Sequence, residues 1–221
     1  MPEIEYTCTV TPIPTSNLDL YFASLPEPYA TMPAQWTISE DGIAFIKKWE
    51  SHDERMYNDG DLPGTPLRHN RSGQGHGHCT IGYGHLVHQG PCGLEKYREI
   101  EKFWADREPL SPADAEVIMR TQDIPIVENV IREHVKVKLT QTQFDALVSL
   151  LYTWTADQFV ASETKLPLLN SGQYVAAADD FLRGPITSNG VVLDSLKRRR
   201  AEEREMFLRL VDIPYGQVSC P

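Results

Sequence analysis

Trp49-Glu50-Ser51-His52-Asp53-Glu54-Arg55-Met56-Tyr57-Asn58-Asp59-Gly60 and, after a glycine-rich gap, Cys79-Thr80-Ile81-Gly82-Tyr83-Gly84-His85 are the stretches on which the fold turns. Upstream of the first, Ser39 suits an N-cap, Glu40 and Asp41 suit the positive end of a helix, and Ile43, Ile46 and Trp49 share one face. A helix is therefore predicted to end near Glu50. From Met56 to His88 the helical period is lost, and the second stretch has the β-branched and aromatic content of a short strand. Residues 60–78 carry turn chemistry throughout and almost nothing apolar, which predicts a long exposed loop that the fold does not need.

Working outward, residues 1–36 are proline-rich without a clean period of 3.6 or 2, so they read as an extended arm or linker. Beyond Pro109 the pattern is helical to about residue 212: Ser111-Pro112 is a cap followed by proline at the first helical position. Further helices are predicted at about 141–153, 163–170, 173–182 and 192–210, with breaks at Gly172 and Gly190 and a break or kink at Pro125. The expected fold class is α+β and predominantly helical. One domain over 37–212 would pair a small β-containing lobe at about 50–92 with a helical lobe at about 110–212, a cleft between them, and a tail at 213–221.

A composition of 41% hydrophobic and 24% charged residues fits a globular chain. Charges and prolines interrupt every apolar run, so no transmembrane span is expected, and the acidic, proline-bearing start lacks the pattern of a secretory signal. The formal net charge of -10 argues against binding nucleic acid or anionic membrane through the overall field. Cys8, Cys79, Cys92 and Cys220 contain no C-x-x-C pair, and either free thiols or any of the possible disulfide pairings is open.

Glu50 and Asp59 lie nine positions apart, one at a helix end and one in a turn. Cleavage of a glycosidic bond needs an acid to protonate the leaving oxygen and a second group to place water. Two acids in a chain with 31 prove nothing by themselves, and solvated surface carboxylates are the plainer reading. The strand adds weight: Thr80 would present a hydroxyl near the acids, and Gly82 and Gly84 would let the backbone approach a ligand.

E-x8-D, then TIGYGH, then LTQTQFDALVSLLY, KLPLLNSGQYVAAADDFLR and LKRRRAEEREMFL, in this order over about residues 38–210, resembles the phage-type lysozymes of glycoside hydrolase family 24. The resemblance implies a lysozyme-like fold and cleavage of the β-1,4 bond between N-acetylmuramic acid and N-acetylglucosamine, with inversion and without metal or other cofactor. It implies Glu50 as general acid, Asp59 as the carboxylate that positions water and Thr80 as a hydroxyl that helps hold it. His85 would be tied into an ion pair near the acid, and Tyr152 and Thr153 would border the sugar groove. Burial against Trp49 would keep Glu50 protonated.

The sequence departs from that family in its long segment between Asp59 and Thr80, which leaves Asp53 and Asp61 as rival second carboxylates. It also has Thr155 and Gly184-Pro185 where the family commonly has glycine and tryptophan. His69, His76 and His78 in the insertion read as a solvated loop that covers the cleft, or contacts substrate or an inhibitor protein, rather than as a metal site. Lys197-Arg198-Arg199-Arg200 reads as a helix surface neutralised by Glu202, Glu203 and Glu205, part of which would meet the peptide or lactyl carboxylates of peptidoglycan. A lytic transglycosylase and a non-catalytic peptidoglycan-binding module are the rival functions. The expected partner is bacterial peptidoglycan, with a cognate immunity or inhibitor protein as a second candidate, and the expected state is a monomer. Such a chain is made in the cytoplasm and acts in the periplasm or wall, as an endolysin or as a delivered antibacterial effector of the type VI kind.

Overall fold

The computed structural model describes residues 17–154, 156–188 and 191–211. Helix α1 (Leu18–Ser24) comes first, within the stretch expected to be an extended arm. Its Phe22 is buried against the ring of Tyr174 at 5.6 Å, and its Asp19 accepts the backbone N–H of Val175 at 2.8 Å. Residues 17–36 are thus part of the domain. Tertiary packing makes this helix where the local sequence, bounded by prolines, does not advertise one.

Helix α2 (Glu40–Trp49) starts as predicted: Ser39 Oγ accepts the N–H of Gly42, Glu40 and Asp41 occupy the first turn, and Ile43 and Ile46 are buried. Glu50 follows directly as its C-cap. An antiparallel sheet in the order β1 (Asp53–Asn58), β2 (Cys79–Gly82), β3 (His85–His88) forms the small lobe. Its register sets Tyr57 opposite Thr80 and Asn58 opposite Cys79. Cys79 forms a disulfide with Cys92, while Cys8 and Cys220 lie outside the described residues.

The 60–78 insertion leaves and re-enters this sheet between β1 and β2, wound around one side chain. Asn58 is fully buried, its Nδ2 donates to the carbonyls of Leu67 (2.6 Å), Asn70 (3.0 Å) and Arg68 (3.3 Å), and its Oδ1 accepts the N–H of Cys92 (2.7 Å). The two Nδ2 protons are shared among these three carbonyls, and the Arg68 carbonyl is held by the Asn58 backbone N–H as well, at 2.7 Å.

Helix α3 (Arg98–Ala105) leads to α4 (Pro112–Ile118), capped by Ser111. A π-turn, Met119–Asp123, passes into α5 (Ile124–His134). The backbone stays helical through this junction, with the Ile124 N–H donating to the Met119 carbonyl, and the π-turn just before Pro125 takes the place of the expected break or kink. Helix α6 (Gln141–Tyr152) opens with a reciprocal capping box between Thr140 and Gln143 and is buried on nearly every side, as suits the central helix. Helices α7 (Ala156–Val160), α8 (Lys165–Asn170) and α9 (Tyr174–Phe181) follow. A two-residue hairpin, β4 (Thr187–Ser188) and β5 (Val191–Val192), precedes α10 (Asp194–Phe207), which packs along α6. Thr155 and Gly190 lie outside the described residues. Among the described residues no helix is long and apolar enough to cross a membrane.

Candidate active site

Between the small sheet and the helices α6 and α10 lies a cleft of about 570 Å³ whose lining includes Glu50, Asp59 and Thr80 together with Tyr152 and Thr153. Each enters from a different element. Glu50 sits where α2 stops, its N–H donating to the Ile46 carbonyl at 2.8 Å. Asp59 is the first residue beyond β1; its N–H donates to the His78 carbonyl (3.0 Å) and its Oδ1 accepts the His78 N–H (2.6 Å). Thr80, 3% exposed in β2, donates its hydroxyl to the same His78 carbonyl at 3.3 Å. The last residues of the insertion thus clasp Asp59 and Thr80 side by side. Gly77 makes the clasp possible: its φ of +78° suits glycine, and a Cβ there would stand 2.0 Å from Asp59 Oδ1.

The Arg199 guanidinium ion-pairs with Glu50 from α10. Its Nε donates to Glu203 Oε1 (3.0 Å) and its Nη2 to the Ser149 carbonyl (3.2 Å). Next to it Arg200 Nη2 donates to Thr153 Oγ1 at 2.6 Å, and Arg200 Nη1 stands 2.7 Å from Glu203 Oε2. Arg199, Arg200 and Glu203 are exposed by 2%, 0% and 0%, so the basic run is not a helix surface at these two positions. Burial pushes the Glu203 carboxyl above the usual carboxylate range, against the pull of Arg200 and Arg199. Burial works against the Arg199 charge too, but Glu50 and Glu203 outweigh it and hold its pKa above the ordinary value. The indole N–H of Trp49 donates to Glu202 at 3.3 Å.

The rival carboxylates are occupied elsewhere. Asp53 accepts Arg68 Nε at 3.3 Å and stands 3.4 Å from His69 Nε2. Asp61 accepts both the N–H (2.9 Å) and ring Nδ1 (2.8 Å) of His76; burial alone would raise its pKa, but these bonds hold it below the ordinary value. It lines an adjoining cavity of about 760 Å³ that shares Asp59, Gly60 and Leu193 with the cleft. The three histidines of the insertion have separate partners: His69 the Met56 carbonyl (3.1 Å), His76 Asp61, and His78 the N–H of Gly90 (3.0 Å).

His85 stands apart from Tyr152 and Thr153. Its Nδ1 lies 2.9 Å from Asp123 Oδ1 and its ring packs on Trp104 at 5.0 Å, and it is not among the residues that line the cleft. Tyr152 does line the cleft, with its hydroxyl donating to the Tyr83 carbonyl at 2.8 Å; burial, first, and the charges of Asp123 and Glu50 raise its pKa. Sequence reasoning singles out the stretches that contain Arg199 and His78 but does not bring either residue to Glu50 or Asp59. The signal for Arg199 was present: Leu196, Arg199, Arg200, Glu203, Met206 and Phe207 form one helical stripe, in which opposite charges occupy core positions. For His78 no such pattern exists.

The profile of the family described as Phage lysozyme matches residues 47–203. The endolysin of Bacillus phage B103 is 32% identical over 174 residues, covering 77% of this chain. The endolysin of Salmonella phage P22 is 41% identical over 87 residues, covering 39% of this chain and 58% of its own length. The chain spans 54% of the length of the Bacillus phage B103 and PZA endolysins. Among solved structures, the muramidase domain of SpmX from Asticaccaulis excentricus superposes with a TM-score of 0.56 at 28% identity, covering 80% of this chain and 100% of that one. A P22 lysozyme mutant gives 0.55 at 26%, covering 79% and 100%.

Proposed function

This chain belongs to the phage lysozyme family, and we propose that it is a muramidase that hydrolyses the β-1,4 bond between N-acetylmuramic acid and N-acetylglucosamine in peptidoglycan. The observation that carries the reading is the meeting of Glu50, Asp59 and Thr80 on one cleft from three separate elements.

Their bonds divide the labour. Glu50 protonates the glycosidic oxygen as the bond to the anomeric carbon breaks, so the leaving sugar departs as an alcohol. Asp59 Oδ1 is bonded to the His78 N–H, which leaves Oδ2 to accept a proton from water. The Thr80 hydroxyl proton is directed at the His78 carbonyl, which leaves its lone pairs to accept the other. A water that donates to both keeps a lone pair for the anomeric carbon. It attacks from the face opposite the leaving oxygen, gives its proton to Asp59, and the configuration inverts. Arg199 keeps the Glu50 side chain aimed while free enzyme waits for substrate. Because peptidoglycan lies outside the cytoplasmic membrane, the chain acts in the periplasm or wall after release or delivery.

Mass spectrometry of muropeptides released from purified sacculi tests this. Reducing N-acetylmuramic acid ends are expected. Anhydro ends would mean a lytic transglycosylase, and absence of cleavage would leave a binding module.

A further inference from the structure

His78 is the pivot of the clasp, yet its backbone alone does that work: the N–H meets Asp59, and the carbonyl meets Asp59 and Thr80. Its imidazole has a separate arrangement. The N–H of Gly90 donates to Nδ1 at 3.0 Å, so Nδ1 carries no proton and the neutral ring carries its proton on Nε2. Among the described residues Nε2 has no protein partner. The side chain is exposed, and it lines the same cleft as Glu50, Asp59 and Thr80. A donor with a fixed tautomer, anchored at one nitrogen and open at the other, thus belongs to a residue of the cleft that holds the water-handling carboxylate.

We propose that His78 binds substrate, its Nε2–H donating to a neutral oxygen of the saccharide unit whose anomeric carbon faces Asp59. The inference rests on the muramidase reading and deepens it: the insertion supplies a donor to the glycan as well as a wall. A neutral acceptor fits because the Asp59 carboxylate shares the cleft and disfavours a further anion near it. The bond forms with the sugar in the ground state and persists in the transition state. It therefore acts on KM rather than kcat, and one neutral hydrogen bond corresponds to about three- to tenfold.

The test uses the full chain with two probes, peptide-free chains of alternating N-acetylglucosamine and N-acetylmuramic acid and the same chains bearing stem peptides. His78→Phe should raise KM for both probes about three- to tenfold, with kcat within about twofold. His78→Gln, which offers an acceptor to Gly90 and a donor to the cleft, should restore most of the loss. The Gly90 N–H, exposed at the surface, can turn to water in the Phe variant, so the melting temperature should hold. Independently of turnover, the ¹⁵N signals of His78 in the Glu50→Gln protein should show the Nε2–H tautomer, and Nε2 should shift when peptide-free chains are added. An unchanged KM, a loss confined to peptide-bearing chains, a parallel fall of kcat and melting temperature, or an Nε2 signal that ignores the glycan would each overturn the proposal. Failure of the wild-type chain to cleave either probe would instead remove the muramidase reading, while the NMR titration still decides on His78.

Discussion

Arg199 and Glu50, 149 positions apart, are joined by an ion pair that fixes α10 to the end of α2 across the back of the cleft. Arg199 is buried and Glu50 is partly open to solvent, so the pair has one anchored and one accessible member. An arginine whose other nitrogens are spent on Glu203 and Ser149 has little freedom to move.

The two members should answer differently to mutation. Glu50→Gln keeps the shape and a hydrogen-bond acceptor but has no proton to give, so lysis of sacculi should fall about 10²–10⁴-fold with the fold retained. Arg199→Ala leaves Glu203 with one less partner in a buried site and should cost about 3 kcal/mol in urea unfolding. A Glu50→Gln protein with near wild-type lysis would contradict the mechanism.

Among the three acids near the insertion, only Asp59 should matter for chemistry. Asp59→Asn should lose most activity, because an amide accepts no proton from water. Asp53→Asn and Asp61→Asn weaken contacts with Arg68, His69 and His76, so they should lower the melting temperature and leave turnover within a few-fold. Turbidity assays beside thermal scans separate the two classes.

Gly77→Ala should be more damaging than its size suggests. The new methyl meets Asp59 Oδ1 and requires a left-handed backbone, a strain of about 1 kcal/mol before the contact is relieved. Relief means moving Asp59, and a shift of that kind can cost up to about 100-fold in rate. The expected signature is a fall in kcat much larger than the loss of stability.

Acid should find Asp180. Burial alone would raise its pKa, but Lys165 (2.8 Å) and the Thr164 hydroxyl (2.7 Å) hold it below the ordinary carboxylate value. A depressed carboxylate stabilises the fold above its unfolded pKa, and the benefit disappears as pH falls through the folded one. Asp180→Asn should therefore be less stable than wild type by about 3 kcal/mol near neutrality, with the gap closing below about pH 4. A gap independent of pH would exclude the ion pair as its source.

How much of this the sequence reveals depends on whether the cause is local. The Ser39 cap, the glycine-flanked strand at Thr80 and the start of α6 are written in neighbouring residues, so their positions are readable. Helix α1 is not, because its stability comes from Tyr174 and Val175, more than 150 positions away. The π-turn and the two-residue hairpin are too short to leave a period. In the site, the positions of Glu50, Asp59 and Thr80 follow from motif and spacing. The partners that aim them do not: by sequence Arg199 reads as charge on a helix surface, and His78 as one of three histidines in a polar loop.

Asn58 gives the insertion a different standing from an ornament that can be cut away. Removing residues 68–77 would take Arg68 and Asn70, two of the three carbonyls its amide holds, and leave that fully buried side chain, one position before Asp59, with the Leu67 carbonyl and the Cys92 N–H alone. The loop and its asparagine therefore act as one unit: shortening the insertion removes partners that only Asn58 was placed to meet, so loop and side chain have to be redesigned together.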